Sequence, residues 1–362
     1  MKSFLKYLFL FFLPSVYGES IVIDANLDEA EWKNAEVINE YYETVPFTLL
    51  PAKVKTETRI ISNENGIYVG FTNFQDNQSM LSKKSMRDEV PNNVEQNGVA
   101  IDFDGDGIKA YMFFVTLANI QGDGIRRLGG WPEFDWDGDW KVQTKKYNGY
   151  WVSEFLIPWD VVLMKNIDGP NRNINITTFR YYAKDQSWLN DTKTSGFRTN
   201  FLSSLRSINV KNFTKRKINY FPYISKTYNS VSGFNENKVG AEVFLNTGTG
   251  KQINLTVNPD FGQAESDEVI VNFSAQETFY SEKRAFFNEN QSLFDLSHYD
   301  RYRVINTRRI GAASSYDCQL SANEDNCNDA KKSYTDIDFA FRYTQKNNNS
   351  DFGIFVAQES DE

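Results

Sequence analysis

Histidine and cysteine are scarce in this chain of 362 residues, which has one histidine and two cysteines. The single histidine, His298, cannot supply a histidine-based metal cluster, and the chain has no Gly-x-Ser-x-Gly segment to place a serine nucleophile. Metallohydrolase and serine hydrolase activities are therefore not indicated. A glycosidase needs only two carboxylates that flank a glycosidic bond, but among 48 acidic residues the sequence selects no such pair. We assign no catalytic residue.

Positive charge is also in short supply, since the formal net charge is -9 at pH 7. Nucleic-acid affinity depends on clustered lysine and arginine that displace counterions from phosphates. We therefore expect no nucleic-acid partner. The one basic cluster, Lys211, Lys215, Arg216 and Lys217, is interpreted as a solvated linker, with contact to anionic lipid headgroups as the alternative.

Long apolar runs are absent as well, and the N-terminal run covers only residues 7–13. A helix needs about 20 apolar residues to cross a bilayer, so this run is too short to be an anchor. With Lys2 and Lys6 before it and small or modest residues at 16–18, it predicts a signal peptide over residues 1–18. We therefore expect an exported protein.

The two cysteines, Cys318 and Cys327, lie nine positions apart in one polar stretch. Neither lies near the signal-peptide cleavage site, so a lipid anchor is not expected. In an oxidising compartment the two can close a local disulfide loop, and two free thiols are the alternative.

Aromatic and turn-forming residues are abundant, and helix-forming stretches are rare, which favours an all-β fold. Residues 54–61 alternate in polarity and turn at Asn65-Gly66 into residues 67–71, and residues 140–147 and 150–157 flank Asn148-Gly149. Residues 99–103 and 108–117 predict another hairpin, and 173–182 a further strand. Many short strands at regular spacing predict a β-sandwich over residues 19–205.

Three segments of this first half carry a family resemblance: IDANLDEAEW at 23–32, GIYVGF at 66–71 and GYWVSEFLIP at 149–158. In this order they resemble the family-nine carbohydrate-binding module, over roughly residues 20–205. The resemblance implies that an oligosaccharide or polysaccharide is the partner and that a sugar is held between two aromatic rings. The later ring position resembles Ser187-Trp188, whereas the earlier one corresponds to Val94, which is not aromatic.

The tryptophans divide into core and loop candidates. Trp32 and Trp151 fall on a short helical turn and on a strand, so we expect both in the core. Trp131, Trp136 and Trp188 lie among Gly, Asp, Pro and Asn, where loops commonly present binding residues. Because aromatic rings stack on the C–H faces of sugars, these three are the candidate carbohydrate-binding residues.

The second half has longer alternating segments, at 218–227, 239–245 and 252–257, which are typical of barrel strands. Together with NPDFGQAESD at 258–267, ETFYSEKRAFF at 277–287 and TRRIG at 307–311, they resemble a bacterial family of unknown function. That family joins a family-nine-like module to an outer-membrane-type β-barrel. The resemblance implies a partial antiparallel β-barrel over residues 206–362, with about six candidate strands, in the periplasm or outer membrane.

A calcium site is one interpretation of Asp102, Asp104 and Asp106, because alternating acidic residues followed by Gly107 resemble the start of a calcium loop. The bidentate glutamate expected at position twelve is Phe113. The alternative is a simple Asp-Gly turn between two strands. Calcium is the one cofactor that the sequence suggests.

Three functions remain open at this point. The first is carbohydrate binding at the cell envelope, accessory to polysaccharide breakdown or uptake. The second is an outer-membrane barrel or translocation component whose sandwich is a structural or partner-binding domain. The third is O-glycosyl hydrolase activity, which rests only on the association of such modules with degrading enzymes.

Overall fold

The computed structural model describes residues 21–91, 93–128, 130, 132–134, 136–228, 235–259, 284–288, 293–294, 297–298, 302–303, 305, 307–312 and 335–360. The predicted signal peptide, Trp131 and the cysteine pair Cys318 and Cys327 lie outside these residues and stay predictions. The described chain consists of antiparallel strands, turns and a few single-turn helices. The predicted all-β class is therefore confirmed.

The first sheet of the N-terminal half has five antiparallel strands in the order β1-β3-β4-β10-β9. Their bounds are β1 Glu36–Ile38, β3 Thr56–Asn63, β4 Gly66–Phe74, β9 Lys141–Lys146 and β10 Tyr150–Pro158. The β3-β4 and β9-β10 hairpins turn at the two predicted Asn-Gly pairs. The expected turns thus bring these strands into register.

The second sheet has eight strands, with the path β2-β12-β11-β5-β6-β7-β8 and with β13 also paired to β11. The bounds are β2 Tyr42–Val45, β5 Gln96–Asp102, β6 Lys109–Thr116, β7 Gln121–Arg127, β8 Pro132–Glu133, β11 Asn171–Tyr182, β12 Ser187–Asn190 and β13 Arg206–Lys211. Because β13 pairs with β11, the sandwich continues to Lys211, past the predicted end at residue 205.

The two sheets pack face to face around an apolar core. Strand β3 shows the predicted alternation, since Thr56, Thr58 and Ile60 are buried. Val99 of the second sheet and Phe155 of the first belong to one buried cluster between the sheets. An antiparallel sheet with alternating polarity buries one face in this way, and two such faces form the sandwich that the sequence predicts.

The second half forms a third antiparallel sheet in the order β14-β15-β16-β19-β20. Its strands are β14 Lys217–Tyr228, β15 Asn235–Asn246, β16 Lys251–Val257, β19 Ile337–Lys346 and β20 Asp351–Glu359, beside a short pair, β17 Ser297–His298 and β18 Tyr302–Arg303. The α-helix α1 spans Ala285–Asn288. None of the described helices has the length and hydropathy needed to cross a bilayer.

The third sheet is exposed on its apolar face and buried on its polar face. One face presents the exposed side chains Ile218, Tyr220, Ile224, Val239, Leu255, Val257, Phe352, Ile354 and Val356. The other buries Lys238, Gln252, Asn254, Thr256, Arg342, Thr344 and Lys346. Segment 284–288 covers part of this polar face, where the Arg342 guanidinium donates to the carbonyl of Phe287. A sheet in water shows the opposite distribution.

Ion pairs connect the third sheet to the sandwich. The ammonium of Lys346 pairs with the carboxylate of Asp104, and both side chains are about nine-tenths buried. Lys217 lies 3.1 Å from Asp139 and 3.6 Å from Asp160. Lys217, interpreted from the sequence as part of a solvated linker, therefore contacts acidic residues of the sandwich.

Candidate binding site

The outer face of the second sheet carries an aromatic floor. Phe179 of β11 lies opposite Gly98 of β5, which lies opposite Phe114 of β6. The rings of Phe114 and Phe179 have centroids 5.4 Å apart. A Cβ atom at position 98 would lie 2.1 Å from the ring of Phe179, so the glycine allows the two rings to meet above the strand between them.

Trp188 extends this floor on the neighbouring strand. It lies opposite Tyr181 in the β11-β12 pairing, and the centroids of their rings are 5.0 Å apart. Its backbone carbonyl accepts a hydrogen bond from the Thr44 hydroxyl of β2, at 3.2 Å. The indole is partly exposed, so strand pairing on both sides holds an accessible aromatic surface in place.

The loop after β12 forms one wall of the site. Arg126, only 4% exposed, donates hydrogen bonds to the carbonyl of Gly196 and, at 3.0 Å, to that of Arg198. Its guanidinium also lies 5.5 Å from the ring of Phe201. A residue of the sheet's outer face thus holds the loop that carries Phe197.

The floor and wall enclose a cavity of about 310 Å³. Among the residues that the structure describes, its lining has no charged side chain and consists of Thr44, Val45, Met112, Phe114, Pro132, Phe134, Phe179, Trp188, Asn190, Ser195, Gly196, Phe197 and Phe201. Phe134 and Phe197 are 54% and 60% exposed, so their rings form the rim. Such a site can stack an uncharged ring between aromatic side chains.

The three candidate tryptophans have different surroundings. Trp188 lines the cavity. Trp136 lies instead in the core between the sheets, 8% exposed, with its ring centroid 4.8 Å from that of Tyr111. Trp131 lies outside the described residues, but Pro132, which follows it, also lines the cavity.

Position 94 corresponds to the earlier of the two aromatic positions that hold the sugar in family-nine modules. It does not contribute to the cavity. Val94 is buried, and the next residue, Glu95, is fully buried 3.6 Å from Arg180. Burial raises the pKa of Glu95 and lowers that of Arg180 to about 10. This pair lies inside the sandwich, and the aromatic side chains at the cavity come from other positions.

Sequence reasoning missed Phe134 and Phe197 because it considered only tryptophan as a sugar platform. Both phenylalanines stand in polar segments, PEFDWD at 132–137 and KTSGFRTN at 193–200. An isolated large apolar side chain in a polar loop is the signal that could have identified them. Their meeting at one rim depends on the order of strands in the sheet.

The residues proposed for calcium form the turn between β5 and β6. Asp102 accepts hydrogen bonds from the amides of Gly105, at 2.9 Å, and Gly107, at 2.8 Å, which is the pattern of an Asp-Gly turn. Asp104 pairs with Lys346, and Asp106 lies 2.6 Å from Lys165. A cation here would compete with two ammonium groups, so this geometry favours the turn, and calcium stays a prediction.

A different acidic cluster is formed by Asp88, Asp123 and Asp137, whose carboxylate oxygens lie within 4.8 Å of one another. The Arg87 guanidinium contacts all three carboxylates, at 3.5, 2.6 and 3.1 Å in that order. Burial raises the pKa of Asp123 to about 7. The Arg87 guanidinium thus offsets part of the negative charge of these three carboxylates.

Glu154 is a second buried carboxyl group with altered proton affinity. It accepts hydrogen bonds from the amides of Asp24 and Ala25, at 2.9 and 2.8 Å. Burial raises its pKa to about 7. Glu154 and Asp123 are both fully buried and lie away from the cavity lining, so their positions indicate a structural role.

Comparison with known proteins gives separate results for the two halves. A family model described as Domain of unknown function (DUF5916) matches residues 214–354. This is less than half of the chain and corresponds to the third sheet and the segments around it. The match agrees with the resemblance of the second half to a family of unknown function. A search of curated proteins gives no match.

Two solved structures are similar to about half of the chain. One is a family-nine carbohydrate-binding module from Caldicellulosiruptor kristjanssonii in complex with cellotriose, at 15% identity and a TM-score of 0.35, covering 52% of this chain and 85% of that one. The other is a putative carbohydrate-binding protein from Bacteroides uniformis, at 10% identity and a TM-score of 0.38, covering 49% and 87%.

Proposed function

We propose that this protein binds a glycan in the aromatic cavity on the outer face of the sandwich. The observation that carries the proposal is the arrangement of Trp188, Phe134 and Phe197 around one open cavity of about 310 Å³. Aromatic rings bind sugars through the apolar C–H face of the pyranose ring, and a cavity whose described lining residues are uncharged suits a neutral sugar. The resemblance to family-nine modules agrees with this function, as do the descriptions of the two similar structures as a module in complex with cellotriose and a putative carbohydrate-binding protein.

The test is isothermal titration of the full chain with cello-, xylo- and other neutral oligosaccharides. The chain is kept soluble in lipid nanodiscs, because a free detergent tail would compete for an apolar cavity, and titration of empty nanodiscs supplies the blank. We expect saturable heat with at least one oligosaccharide and a loss of affinity of about ten-fold or more in Trp188→Ala. Tyr150→Ala, which removes a ring from the outer face of the other sheet, is the matched control.

A second proposal concerns location, and the exposed apolar face of the third sheet carries it. We propose that the protein is exported and that this face contacts the hydrocarbon of the outer membrane. Membrane strands place apolar side chains toward lipid and polar side chains toward the protein interior, as on the two faces of this sheet. A glycan-binding sandwich attached to such a sheet would act at the envelope, as an accessory to polysaccharide breakdown or uptake.

Cell fractionation tests this location. We expect the full chain in the outer-membrane fraction, resistant to carbonate washing and released by detergent. Val239→Lys introduces a charge at the exposed face, and a lysine near the bilayer midplane costs roughly 2 to 4 kcal/mol, so we expect this variant to lose membrane association. Val37→Lys, an exposed position of the sandwich, is the control. Recovery of the unchanged chain in soluble periplasm would contradict the proposal.

A further inference from the structure

The cavity beside Trp188 offers a ligand few polar partners. The Thr44 hydroxyl already donates to the carbonyl of Trp188, and the Ser195 hydroxyl accepts from the amide of Phe197 at 3.3 Å. Asn190 Oδ1 accepts hydrogen bonds from the hydroxyl of Thr177 and the amide of Thr192. Neither its Nδ2 nor the Ser195 hydroxyl proton has a hydrogen-bond acceptor among the residues that the structure describes, so these two groups are the side-chain donors available to a ligand.

Much of the buried lining of the cavity is apolar. Met112, Phe114, Phe179 and Phe201 are all less than a tenth exposed and belong to one buried cluster. A sugar hydroxyl placed against them would lose its water without gaining a protein partner, which is unfavourable. At the rim, beside the exposed rings of Phe134 and Phe197, hydroxyls can keep their hydration.

The volume of the cavity sets the size of the group that fits. An apolar protein cavity of about 150 Å³ holds a benzene molecule, and this cavity, at about 310 Å³, has roughly twice that volume. It therefore has room for one six-membered ring or a short chain. The described part of the lining has no charged side chain, so an ionised group such as a uronate or sulfate would find no counter-charge there.

We infer that the glycan of this site carries an apolar substituent, an aryl or short acyl or alkyl group joined through oxygen, and that this group fills the cavity. The sugar ring stacks at the rim on Phe134, Phe197 and the accessible part of Trp188. The inference rests on the proposed glycan-binding function and specifies which chemical group the cavity selects. Esterified polysaccharides and glycolipids both supply such groups.

The test compares glycosides that differ only in the group on the anomeric oxygen. The full chain, in the same nanodiscs, is titrated with methyl, phenyl and hexyl β-D-glucosides and β-D-xylosides, and heats from empty nanodiscs are subtracted. We expect the phenyl or hexyl glycoside to bind about ten-fold or more tightly than the methyl glycoside, because it buries an additional apolar group. Preference for phenyl indicates an aryl ester as the source, and preference for hexyl indicates a lipid chain.

Three results would overturn the inference. Equal affinity for methyl and phenyl glycosides shows a working sugar site whose cavity selects no substituent, so the proposed function survives and this inference fails. A chain that binds unsubstituted oligosaccharides but neither phenyl nor hexyl glycosides would also support the proposed function and contradict this inference. Absence of binding to every saccharide removes the proposed function together with the inference.

A variant that fills the cavity gives an independent measurement. Gly196 lines the cavity, and a Cβ atom built on it has no heavy atom within 4 Å, so an added side chain starts in open space. We expect Gly196→Leu to reduce affinity for the phenyl glycoside more than affinity for the methyl glycoside, so that the ratio of the two affinities falls. Gly196→Ala is the matched control. A full phenyl preference in Gly196→Leu would count against the assignment.

Discussion

The indole of Trp188 packs edge-on against the ring of Phe179, with ring centroids 5.7 Å apart and planes at 64°. The two residues belong to the paired strands β12 and β11, so the register of this pairing sets their distance. Strand β12 also pairs with β2, which fixes it on its other side. The aromatic surface of the cavity is thus a property of the sheet, and changes to the sheet should alter binding.

Gly98→Ala should affect both stability and binding. The new Cβ would lie 2.1 Å from the ring of Phe179 and 3.0 Å from the carbonyl oxygen of Phe113, so the ring must move. Overpacking of this kind costs about 1 to 3 kcal/mol of unfolding free energy. Urea unfolding and oligosaccharide titration check this. Gly196→Ala is the control, because a Cβ atom at position 196 has no heavy atom within 4 Å. If the unfolding free energy and the ligand affinity are unchanged in Gly98→Ala as well as in Gly196→Ala, the role of Gly98 is contradicted.

Arg126→Met should release the loop wall of the cavity. The change removes the donors to the carbonyls of Gly196 and Arg198, and we expect faster amide hydrogen exchange over residues 195–201 together with weaker ligand binding. The loss of stability should be about 1 to 3 kcal/mol, since the guanidinium is buried. Arg59→Met, which removes an ion pair with Glu57 on the other sheet, is the control and should leave loop exchange unchanged.

Asp123 should make stability depend on pH. Burial raises its pKa from 3.8 to about 7, so folding favours the protonated carboxyl group. The stabilisation is complete below about pH 4 and is lost as the pH rises through 7. Because a tenfold change in proton affinity corresponds to about 1.4 kcal/mol, wild type should lose up to about 4 kcal/mol relative to Asp123→Asn over this range.

Urea unfolding of both proteins at pH 4, 5.5, 7 and 8 measures the Asp123 effect. Asp168→Asn, at an exposed position, is the control and should leave the pH profile parallel to that of wild type. A constant difference between wild type and Asp123→Asn at all four pH values would show that the raised pKa does not exist in solution.

The pair of Lys346 and Asp104 should couple the third sheet to the sandwich. Both side chains are nearly buried, so a double-mutant cycle with Lys346→Met and Asp104→Asn should give a coupling energy of about 1 to 3 kcal/mol in chemical unfolding. Lys53 and Asp185 form an exposed pair at 3.0 Å and should give clearly weaker coupling, because solvent screens their charges. Equal coupling in the two cycles would argue against a special role for Lys346.

The strands of the fold could be predicted because their signals are local. The alternation at 54–61 places Thr56, Thr58 and Ile60 inward, and the structure buries all three. Asn148-Gly149 turns one strand back on the next because Gly149 adopts a φ of 83°. The second half is also antiparallel, as expected, but its described strands form an open sheet, with β14 and β20 at the edges.

The site was predicted only in part, and tryptophan shows the reason. Trp136 and Trp188 both stand in polar surroundings in the sequence, yet Trp136 is buried in the core and Trp188 lines the cavity. Sequence context does not tell which side of a sheet a loop crosses. The side of the sheet on which each tryptophan lies depends on the positions of β8 and β12 in the strand order. Those positions are set by the pairing of β8 with β7 and of β12 with β11 and β2.

The sequence by itself determined the all-β class, the hairpins and the alternation of strand faces, because each follows from residue order within a few positions. Only the tertiary structure decided that Phe179, Phe114, Trp188 and Phe197 share one cavity, and that Asp104 meets Lys346, 242 positions away. Contacts of this range follow from the order and register of strands in the sheets. That order is a property of the whole packed chain, since many distant pairings must be satisfied together.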